Sequence, residues 1–512
     1  MIAPSREDTG PPGPITAAPD GAVTPLPGSF HLTVDPMTTV LDDGSVLMGG
    51  SPLRLLRLSP RARVVVAQWA AGARVGQRRG RQLLARRLVS SGTFNPHPSE
   101  ASHGPGDVTV VIPVRNRPDQ LQRLLSLLDG LSCVVVDDAS SDPARTEAIA
   151  LSFDARFIGL TANAGPSGAR NAGLDIVSTP LVAFVDSDCE PTADWLSPLL
   201  GHFDDPMVAA VAPRIVPSSA SPPTWLSRYE AVRSSLDRGE AEGLVRPHTA
   251  IPYVPSATIV VRRRVAPTSL FDPTLRGGED VDLVWRLVAA GWDVRYVPTS
   301  TVAHAGPDTA RSWLIRRAFY GTTAGPLSRR HPDALAPLRT SAWSAATWGL
   351  LAARRPVLAA GTLAAPILML AQRLRGLVDE PLTVATRIAG GGTARSALPA
   401  LSGLTRAWSP ALVLGLLFGR TRRAAALALI APALNDLVSA PGDLDPVRYT
   451  ALHVADDLAY GAGLWRGCLD ARTLRPLIPH IVLRARVWSP SALRTQLGRN
   501  ENDENDETIE AE

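Results

Sequence analysis

Short apolar runs alternate with amphipathic stretches between residue 108 and about residue 320. The runs Val108–Val114, 133–136 and Leu181–Val185 are too short for typical helices and rich in bulky aliphatic residues, which is typical of buried strands. Between the first two runs, leucines recur with the spacing of one helical face, at Leu121, Leu124, Leu125 and Leu128. Because strand and helix alternate, the pattern predicts an α/β domain with a mostly parallel sheet, over about residues 108–330.

The N-terminal pattern predicts a smaller α+β unit in residues 30–100. Two short strands surround an Asp-Gly turn within residues 37–48, and helix-like runs cover residues 61–71 and 80–88. The unit resembles winged-helix domains that recognise peptides, and a packing extension of the next domain is an equally open interpretation. Residues 1–29, rich in Pro and Gly, and the acidic residues 500–512 predict disorder at the two ends.

The region from residue 341 to about residue 490 is apolar and predicted to be α-helical. Its most apolar parts, residues 341–371 and 408–438, are interrupted by arginines. The uninterrupted stretches 356–371 and 424–434 fall short of the ~20 residues that span a bilayer. Two interpretations follow: helices embedded in the inner leaflet, which would place the chain on the cytoplasmic face of the membrane, or a soluble bundle on the predicted α/β domain in the cytoplasm.

The composition says more about the expected binding partners and redox compartment of the chain than about its fold. A net charge of +4 over 512 residues gives no reason to expect nucleic-acid binding. The three cysteines have no metal-ligand spacing and suggest no disulfide framework, which fits a reducing cytosol. At this length the chain is expected to hold more than one domain.

Two carboxylates follow the predicted strand Leu181–Val185. Asp186 and Asp188 lie one residue apart, at the carboxyl end of a strand, where open α/β sheets bind their ligands. Carboxylates suit a hard divalent cation such as Mg²⁺ or Mn²⁺, which can in turn hold phosphate oxygens. A solvated turn would have the same short motif, so its neighbours along the chain decide its meaning.

Those neighbours resemble the motifs of the inverting glycosyltransferases of family 2, whose nucleotide-binding α/β fold is called GT-A. The matching segments, in chain order, are Val-Ile-Pro-Val-Arg-Asn-Arg (111–117), Val-Asp-Asp-Ala-Ser (136–140), the glycine-punctuated loop 163–173, Asp-Ser-Asp (186–188), Gly-Gly-Glu-Asp-Val-Asp-Leu (277–283) and Val-Ala-His (302–304). Residues 49–60, residues 316–321 and the apolar C-terminal third further resemble the glycosyltransferases of mycofactocin biosynthesis.

The resemblance implies a sugar nucleotide donor, with UDP-glucose expected, and a divalent metal. It assigns Asp188 and His304 as metal ligands, with Asp186 nearer the ribose or a metal-bound water. The expected donor-binding residues are Pro113, Arg115, Asn116, Asp138, Arg170, Asn171 and Asp186. For Asp138, a cap on the following turn is the structural alternative.

Asp280 is the expected general base, with Glu279 beside it as a group that binds an acceptor hydroxyl. Asp280 follows Gly277 and Gly278 at the start of a predicted helix, so a helix cap is the structural alternative. One base and in-line attack imply inversion, by which an α-linked donor gives a β-glycoside. Three aromatic residues are candidates to stack on acceptor sugars or to pack in the core: Trp285, Trp292 and Tyr320.

Arg316 or Arg317 is a candidate for contact with the leaving phosphate, with a solvated basic face as the alternative. Processive family members carry Gln-x-x-Arg-Trp where this chain has Arg-Arg-Ala-Phe-Tyr (316–320), so processivity does not follow from the resemblance.

Three functional hypotheses follow. In the first, the chain adds β-linked glucose to a premycofactocin-type acceptor, which is a peptide-derived precursor of a redox cofactor. The second keeps the enzyme class with a cell-envelope lipid or polysaccharide as acceptor. The third is a non-catalytic, membrane-attached sugar-binding scaffold, against which the intact acidic motifs argue.

Overall fold

The computed structural model describes residues 12–218, 223–266, 268–307, 309–439 and 442–483. The chain divides into two compact units, of which the first comprises residues 1–336 and 401–477 and the second residues 337–400 and 478–512. The predicted acidic tail, residues 500–512, and residues 1–11 lie outside the described residues.

The N-terminal part of the first unit has two small sheets and two helices. Its elements are β1 (His31–Val34), β2 (Thr39–Leu41), β3 (Val46–Gly49), β4 (Arg54–Arg57), α1 (Pro60–Ala70), α2 (Arg79–Ser91) and β5 (Phe94–His97). The predicted hairpin is present as β2 and β3 around a 3₁₀ turn, Asp42–Gly44, and β4 adds a third antiparallel strand. Trp69, Phe30 and Phe94 are buried at the centre of this part.

Residues 12–29 differ from the predicted disorder. The amide of Thr16 donates to the carbonyl of Val265, the amide of Ala18 donates to that of Ala290, and Leu26 is fully buried. The composition was misleading here because a Pro/Gly-rich chain can lie in extended form against a folded surface, where its backbone groups find partners.

The larger part of the first unit alternates strand and helix as the apolar pattern predicts. Its elements are β6 (Val108–Val114), α3 (Pro118–Leu127), β7 (Ser132–Asp137), α4 (Pro143–Ser152), β8 (Arg156–Gly159), α5 (Gly165–Asp175), β9 (Leu181–Val185), β10 (Cys189–Pro191), α6 (Ser197–Leu200), β11 (Val208–Pro217), α7 (Trp225–Val232), β12 (Gly243–Leu244), β13 (Thr258–Arg262), α8 (Glu279–Ala289), β14 (Asp293–His304), α9 (Ala310–Thr322) and α10 (Ala324–Arg330).

Nine of the described strands form one sheet in the order β10-β14-β11-β13-β9-β6-β7-β8, with β12 paired to β14. Strands β6, β7, β8, β9, β11 and β14 run in one direction, and β10, β12 and β13 run against them. The predicted α/β fold with a mostly parallel sheet is therefore confirmed.

Strand β9 is apolar along its whole length because both faces of the sheet are covered. Val182 and Phe184 belong to one buried cluster, and Leu181, Ala183 and Val185 belong to the other. Such a strand cannot alternate apolar and polar residues, and its first polar residues come where it leaves the core. This places Asp186 and Asp188 just beyond the carboxyl end of β9, where the strand leaves the core.

The C-terminal elements are β15 (Arg339–Ser341), α11 (Ala342–Ala352), α12 (Pro356–Leu374), α13 (Pro381–Ala385), α14 (Gly391–Arg395), α15 (Ala397–Arg406), α16 (Ser409–Leu417), α17 (Arg422–Ser439), α18 (Pro446–Asp470) and β16 (His480–Val482). In the first unit, α18 packs along α9 so closely that a Cβ atom at Gly463 would lie 1.8 Å from the carbonyl oxygen of Ala318. This contact attaches α18 to the larger part of that unit.

In the second unit, α11 packs on α12, and β15 pairs with β16. Helix α12 has 19 residues and a mean hydropathy of 1.5 over its apolar window, of which 11% is buried. It is longer than the uninterrupted apolar stretch that the sequence indicated, because the helix continues to Leu374. Its length and composition are those of a helix that can cross a membrane.

Candidate active site

A cavity of about 830 Å³ opens at the carboxyl ends of β6, β7 and β9. The predicted site residues that line it are Pro113, Arg115, Asp138, Arg170, Asp186, Asp188 and His304. Asn116, Asn171, Glu279 and Asp280 are not among its lining residues. The cavity therefore collects most of the predicted donor and metal residues, while the predicted base lies beside it.

Asp188 and His304 face each other because of strand pairing. Strand β10 pairs antiparallel with the end of β14, which places Cys189 opposite His304. The Nε2 atom of His304 lies 3.3 Å from Oδ1 of Asp188, and the guanidinium of Arg117 pairs with Oδ2. Burial opposes ionisation of Asp188, but the hydrogen bond and charge of His304 and the charge of Arg117 outweigh it and hold the pKa of this carboxyl well below its usual range. Asp188 is therefore an anion at neutral pH.

The side chains of Asp188 and His304 fit a divalent cation whose remaining coordination positions are filled by oxygens of a bound diphosphate. In the described part of the chain, no three His, Cys, Asp or Glu residues are arranged as a metal site. A carboxylate and an imidazole are nevertheless suitable donors for Mn²⁺ or Mg²⁺. Magnesium in particular is usually bound by one or two carboxylates together with substrate phosphates. Asp188 and His304 thus suit a metal that arrives with a diphosphate.

Arg170 joins the carboxyl end of β9 to the start of α8. Its guanidinium lies 2.6 Å from Oδ1 of Asp186 and 3.0 Å from Oε1 of Glu279, and it stacks 5.1 Å from the ring centre of Phe271. Arg170 is buried. Burial also dominates at Asp186, whose pKa is raised although Arg170 opposes the shift. The resemblance implied that Arg170 binds the donor. In the structure its guanidinium holds two carboxylates in place.

Asp138 lies in the cavity wall with both carboxylate oxygens engaged. They accept hydrogen bonds from the amides of Ala164 (2.6 Å) and Gly165 (3.0 Å), at the start of α5. Asp138 therefore fixes the glycine-punctuated loop beneath the site. Its predicted contact with the donor base stays a prediction.

The two predicted asparagines have structural partners. Asn116 has a φ of 55°, and its side-chain oxygen accepts from the amide of Ser141 at 2.8 Å. Asn171 donates to the carbonyl of Phe271 at 2.8 Å and accepts from the amides of Leu270 and Phe271. Both side chains therefore hold loops in place, and neither lines the cavity. Their predicted contact with the donor stays a prediction.

Asp280 is the second residue of α8 and lies in an environment that favours a neutral carboxyl. Burial, followed by the negative charge of Glu279, raises its pKa to about 7, against the opposing hydrogen bond from the amide of Val281. A carboxylate with a pKa near the working pH is suited to general base catalysis. The N-cap of α8 is Gly278, without a side-chain hydrogen bond, so Asp280 does not make the cap of the alternative interpretation. Its role as the general base stays a prediction.

Gly277 and Gly278 serve helix packing as well as the turn. Gly278 has a φ of 76°, and a Cβ atom at Gly277 would lie 2.7 Å from the ring of Phe319. These glycines bring the backbone close to α9, whose residues Phe319 and Tyr320 line the cavity.

Comparison with known proteins agrees with this geometry. Residues 109–267 match the glycosyl transferase family 2 domain. The pre-mycofactocin glycosyltransferase of Mycobacterium tuberculosis (strain ATCC 25618 / H37Rv) is 41% identical over 475 residues, which cover 90% of this chain and 99% of that protein. The chain belongs to glycosyl transferase family 2. An N-acetylglucosaminyltransferase of Rhizobium meliloti (strain 1021) is 31% identical over 46% of this chain and 59% of its own length.

Solved structures show a more distant likeness. A mannosyltransferase from Pyrobaculum calidifontis, in complex with GDP-Man and Mn²⁺, is 19% identical and has a TM-score of 0.34, covering 67% of this chain and 91% of its own. Residues 1–349 of S. aureus TarS are 19% identical, with a TM-score of 0.33, covering 44% of this chain and 66% of their own.

Three of the predicted auxiliary residues of this family 2 chain are structural. Trp285 donates to the carbonyl of Pro252 and Trp292 to that of Thr16, and both are buried in the core. Neither tryptophan lines the cavity, whereas Tyr320 does. Arg317 points into a buried ion network with Glu230, so of the two candidate arginines Arg316 is the one in the cavity wall.

Among the lining residues that had no assigned role in the sequence are Arg117, Leu275, Arg276 and Phe319. Arg117 lies three residues after the end of β6, and Phe319 directly precedes Tyr320. Both belong to segments in which the sequence resembled family motifs. Their position in those motifs was the available signal.

Proposed function

We propose that this protein is an inverting, metal-dependent hexosyltransferase that transfers glucose from UDP-glucose to a premycofactocin-type acceptor. Family membership establishes a glycosyltransferase related to the mycofactocin pathway. The proposal adds the donor, the metal, the stereochemistry and the acceptor. The observation that supports it most is that Asp186, directly after β9, and Glu279, in α8, both pair with the buried Arg170. The predicted donor-side carboxylate and one predicted acceptor-side acid thus share one cation.

Each residue has a proposed role. When bound, a divalent metal held by Asp188 and His304 would neutralise the charge of the leaving diphosphate. Asp280 accepts the proton of an acceptor hydroxyl while its oxygen forms a bond to the anomeric carbon, and the bond from that carbon to the diphosphate oxygen breaks with its electron pair on the diphosphate. Arg170 fixes Glu279 beside Asp280, and Glu279 raises the pKa of its neighbour. A single displacement of this kind inverts the anomeric centre.

The second unit supports a membrane location. Val357, Leu358 and Leu368 on α12 are more than half exposed, and the helix is flanked by Arg354, Arg355 and Arg375. We propose that α12 inserts into the inner leaflet of the cell membrane, so that the catalytic unit works at its cytoplasmic face. The apolar helix also keeps a cell-envelope lipid or polysaccharide acceptor as the alternative.

The decisive experiment compares acceptors with purified protein, UDP-glucose and Mn²⁺. UDP release that depends on a premycofactocin acceptor, with a β-linked glucose in the product by NMR coupling constants, is the expected result. UDP release only with a lipid acceptor would favour the cell-envelope alternative. A protein that binds UDP-glucose without turnover on either acceptor would favour the sugar-binding scaffold.

A further inference from the structure

Arg117 holds the position at Asp188 that a metal would need. Asp188 has two carboxylate oxygens, of which Oδ1 faces His304 at 3.3 Å and Oδ2 receives a hydrogen bond from Nη1 of Arg117. The side chain of Asp188 is 10% exposed, whereas that of Arg117 is 43% exposed. Both oxygens of the carboxylate are therefore already engaged, one of them by a cation that can move into solvent.

The backbone of Arg117 is held by hydrogen bonds, whereas its side chain is partly exposed to solvent. Asn116 is fixed in a left-handed conformation by Ser141, and the carbonyl of Arg117 accepts the amide of Leu121 at the first turn of α3. The residue consequently stays at the mouth of the cavity, where its side chain is part of the wall. A change of side-chain rotamers is enough to move the guanidinium from Asp188 to a ligand in the same cavity.

A guanidinium and a divalent cation compete for the same carboxylate because both are positive. They do not compete for a diphosphate, which carries several oxygens and binds guanidinium forks with two parallel hydrogen bonds. We infer that Arg117 is an internal counterion of Asp188 in the free enzyme and a diphosphate ligand in the donor complex. The inference rests on the proposed function, since it requires the metal and the nucleotide named there.

The exchange makes metal and nucleotide bind cooperatively. Metal alone must displace Arg117 from Asp188 and finds two protein donors. Metal with a nucleoside diphosphate gains phosphate oxygens, and the displaced Arg117 gains a new partner. Because coupling between two ligands is reciprocal, the metal strengthens nucleotide binding by the same factor as the nucleotide strengthens metal binding.

The test measures binding rather than turnover. Mn²⁺ is titrated into the full-length protein, alone and with saturating UDP, and the free ion is followed by its EPR signal; GDP is used in a parallel series. In Arg117→Gln we expect the affinity for Mn²⁺ alone to rise about two- to fivefold, the range of a partly exposed ion pair. The affinity for UDP in the presence of Mn²⁺ is expected to fall, so the cooperativity factor decreases in both directions.

Two further variants separate charge from geometry. Arg117→Lys keeps the positive charge but loses the planar fork, so Mn²⁺ affinity without nucleotide stays near that of the wild type while UDP affinity falls. Arg123→Gln removes one exposed charge from α3, the helix that follows Arg117, and is expected to leave both affinities unchanged. A thermal melt of each variant verifies that it is folded.

The outcomes distinguish this inference from the function on which it rests. If wild-type protein binds Mn²⁺ with UDP or GDP but Arg117→Gln has the same affinities, the role of Arg117 is wrong and the metal site stands. If the wild type binds no Mn²⁺ with either nucleotide, the metal-dependent function and the inference both fail. An equal rise in Mn²⁺ affinity for Arg123→Gln would reduce the effect to general electrostatics and overturn the exchange.

Discussion

The Nε atom of Arg317 lies 3.2 Å from Oδ1 of Asp456, and this contact joins the cavity helix α9 to the C-terminal helix α18. Both side chains are nearly inaccessible to solvent. The same network includes Glu230 on α7, and the hydroxyl of Tyr229 donates to the other oxygen of Asp456 at 3.0 Å. Because α9 also carries Phe319 and Tyr320 in the cavity wall, a helix that lies far along the chain helps to position the active site.

Removing Asp456 tests this dependence. In Asp456→Ala the guanidinium of Arg317 loses a buried partner, and the loss of one member of a buried ion pair costs about 3–5 kcal/mol. We expect the melting temperature of the catalytic unit to fall by several degrees in differential scanning calorimetry. The control is Asp470→Ala on the same helix, where Asp470 is 71% exposed and the change should be small. Equal melting temperatures for the two variants would contradict the structural role of Asp456.

The sequence predicted the strands around the site well and the ion network not at all. An apolar run that ends in two carboxylates has a local signal, because a strand covered on both faces turns polar only where it leaves the core. Tyr229 and Asp456 are 227 residues apart, and nothing in the local pattern around either residue indicates the other. Long-range pairing of this kind follows from the packing of α18 on α9, which the sequence alone does not contain.

The raised pKa of Asp280 predicts how activity depends on pH. The carboxyl must be ionised to accept a proton, and burial with the charge of Glu279 raises its pKa to about 7. Turnover should therefore fall as the pH decreases through about 7, since protonation removes the base. In Asp280→Asn turnover is expected to fall by roughly 10²-fold or more while donor affinity stays near that of the wild type.

Steady-state kinetics between pH 5 and pH 9, together with UDP-glucose binding, measure both effects. Asp194→Asn, at an exposed position, removes the same charge and should leave the pH profile unchanged. An active Asp280→Asn enzyme would move the base to Glu279 or to another group.

Metal removal tests the assignment of Asp188 and His304. Chelation is expected to abolish turnover, and added Mn²⁺ should restore it. In Asp188→Ala donor affinity should fall when metal is present. The reason is that the metal, which joins the diphosphate to the protein, loses one of its protein ligands. Isothermal titration with UDP at fixed Mn²⁺ measures this change, and full turnover in excess chelator would refute the metal assignment.

Within the site, the sequence predicted positions better than roles. Most motif residues meet at one cavity, since parallel strands end at the same edge of the sheet. Asn171 and Trp292 lie in or near the predicted segments, yet their polar atoms bind backbone groups. Whether a side chain at such a position faces the ligand or supports a loop depends on rotamers and on neighbouring loops, which residue type and spacing do not specify.

The exposed apolar surface of α12 predicts membrane attachment. The protein is expected to pellet with membranes and to resist extraction by salt, because apolar insertion is not screened by ions. Leu368 is 56% exposed, so Leu368→Arg should be tolerated by the fold. The added charge costs about 2.5–3.5 kcal/mol in the centre of a bilayer and should shift the protein to the soluble fraction. Leu151→Arg on α4, where Leu151 is 59% exposed, is the control, and a wild-type protein that is soluble and monodisperse without detergent would contradict the prediction.

The N-terminal part of the first unit, residues 30–100, is expected to bind part of a peptide-bearing acceptor. This role can be tested separately from the packing of that part on the rest of the unit. Arg86 on α2 lies 2.5 Å from Asp205 in the catalytic part, and both are 1% exposed, so deleting residues 1–100 would leave a buried charge unpaired and destabilise the fold. Point changes on the edge strand β2 avoid this problem, because Val40 is 51% exposed there.

If an extended peptide adds to this edge of the β2-β3-β4 sheet, Val40→Arg should raise the acceptor KM while UDP-glucose hydrolysis and the melting temperature stay near those of the wild type. Val64→Arg on α1, also exposed (59%), should change none of the three. Unchanged acceptor kinetics in a well-folded Val40→Arg protein would leave the unit with packing as its role.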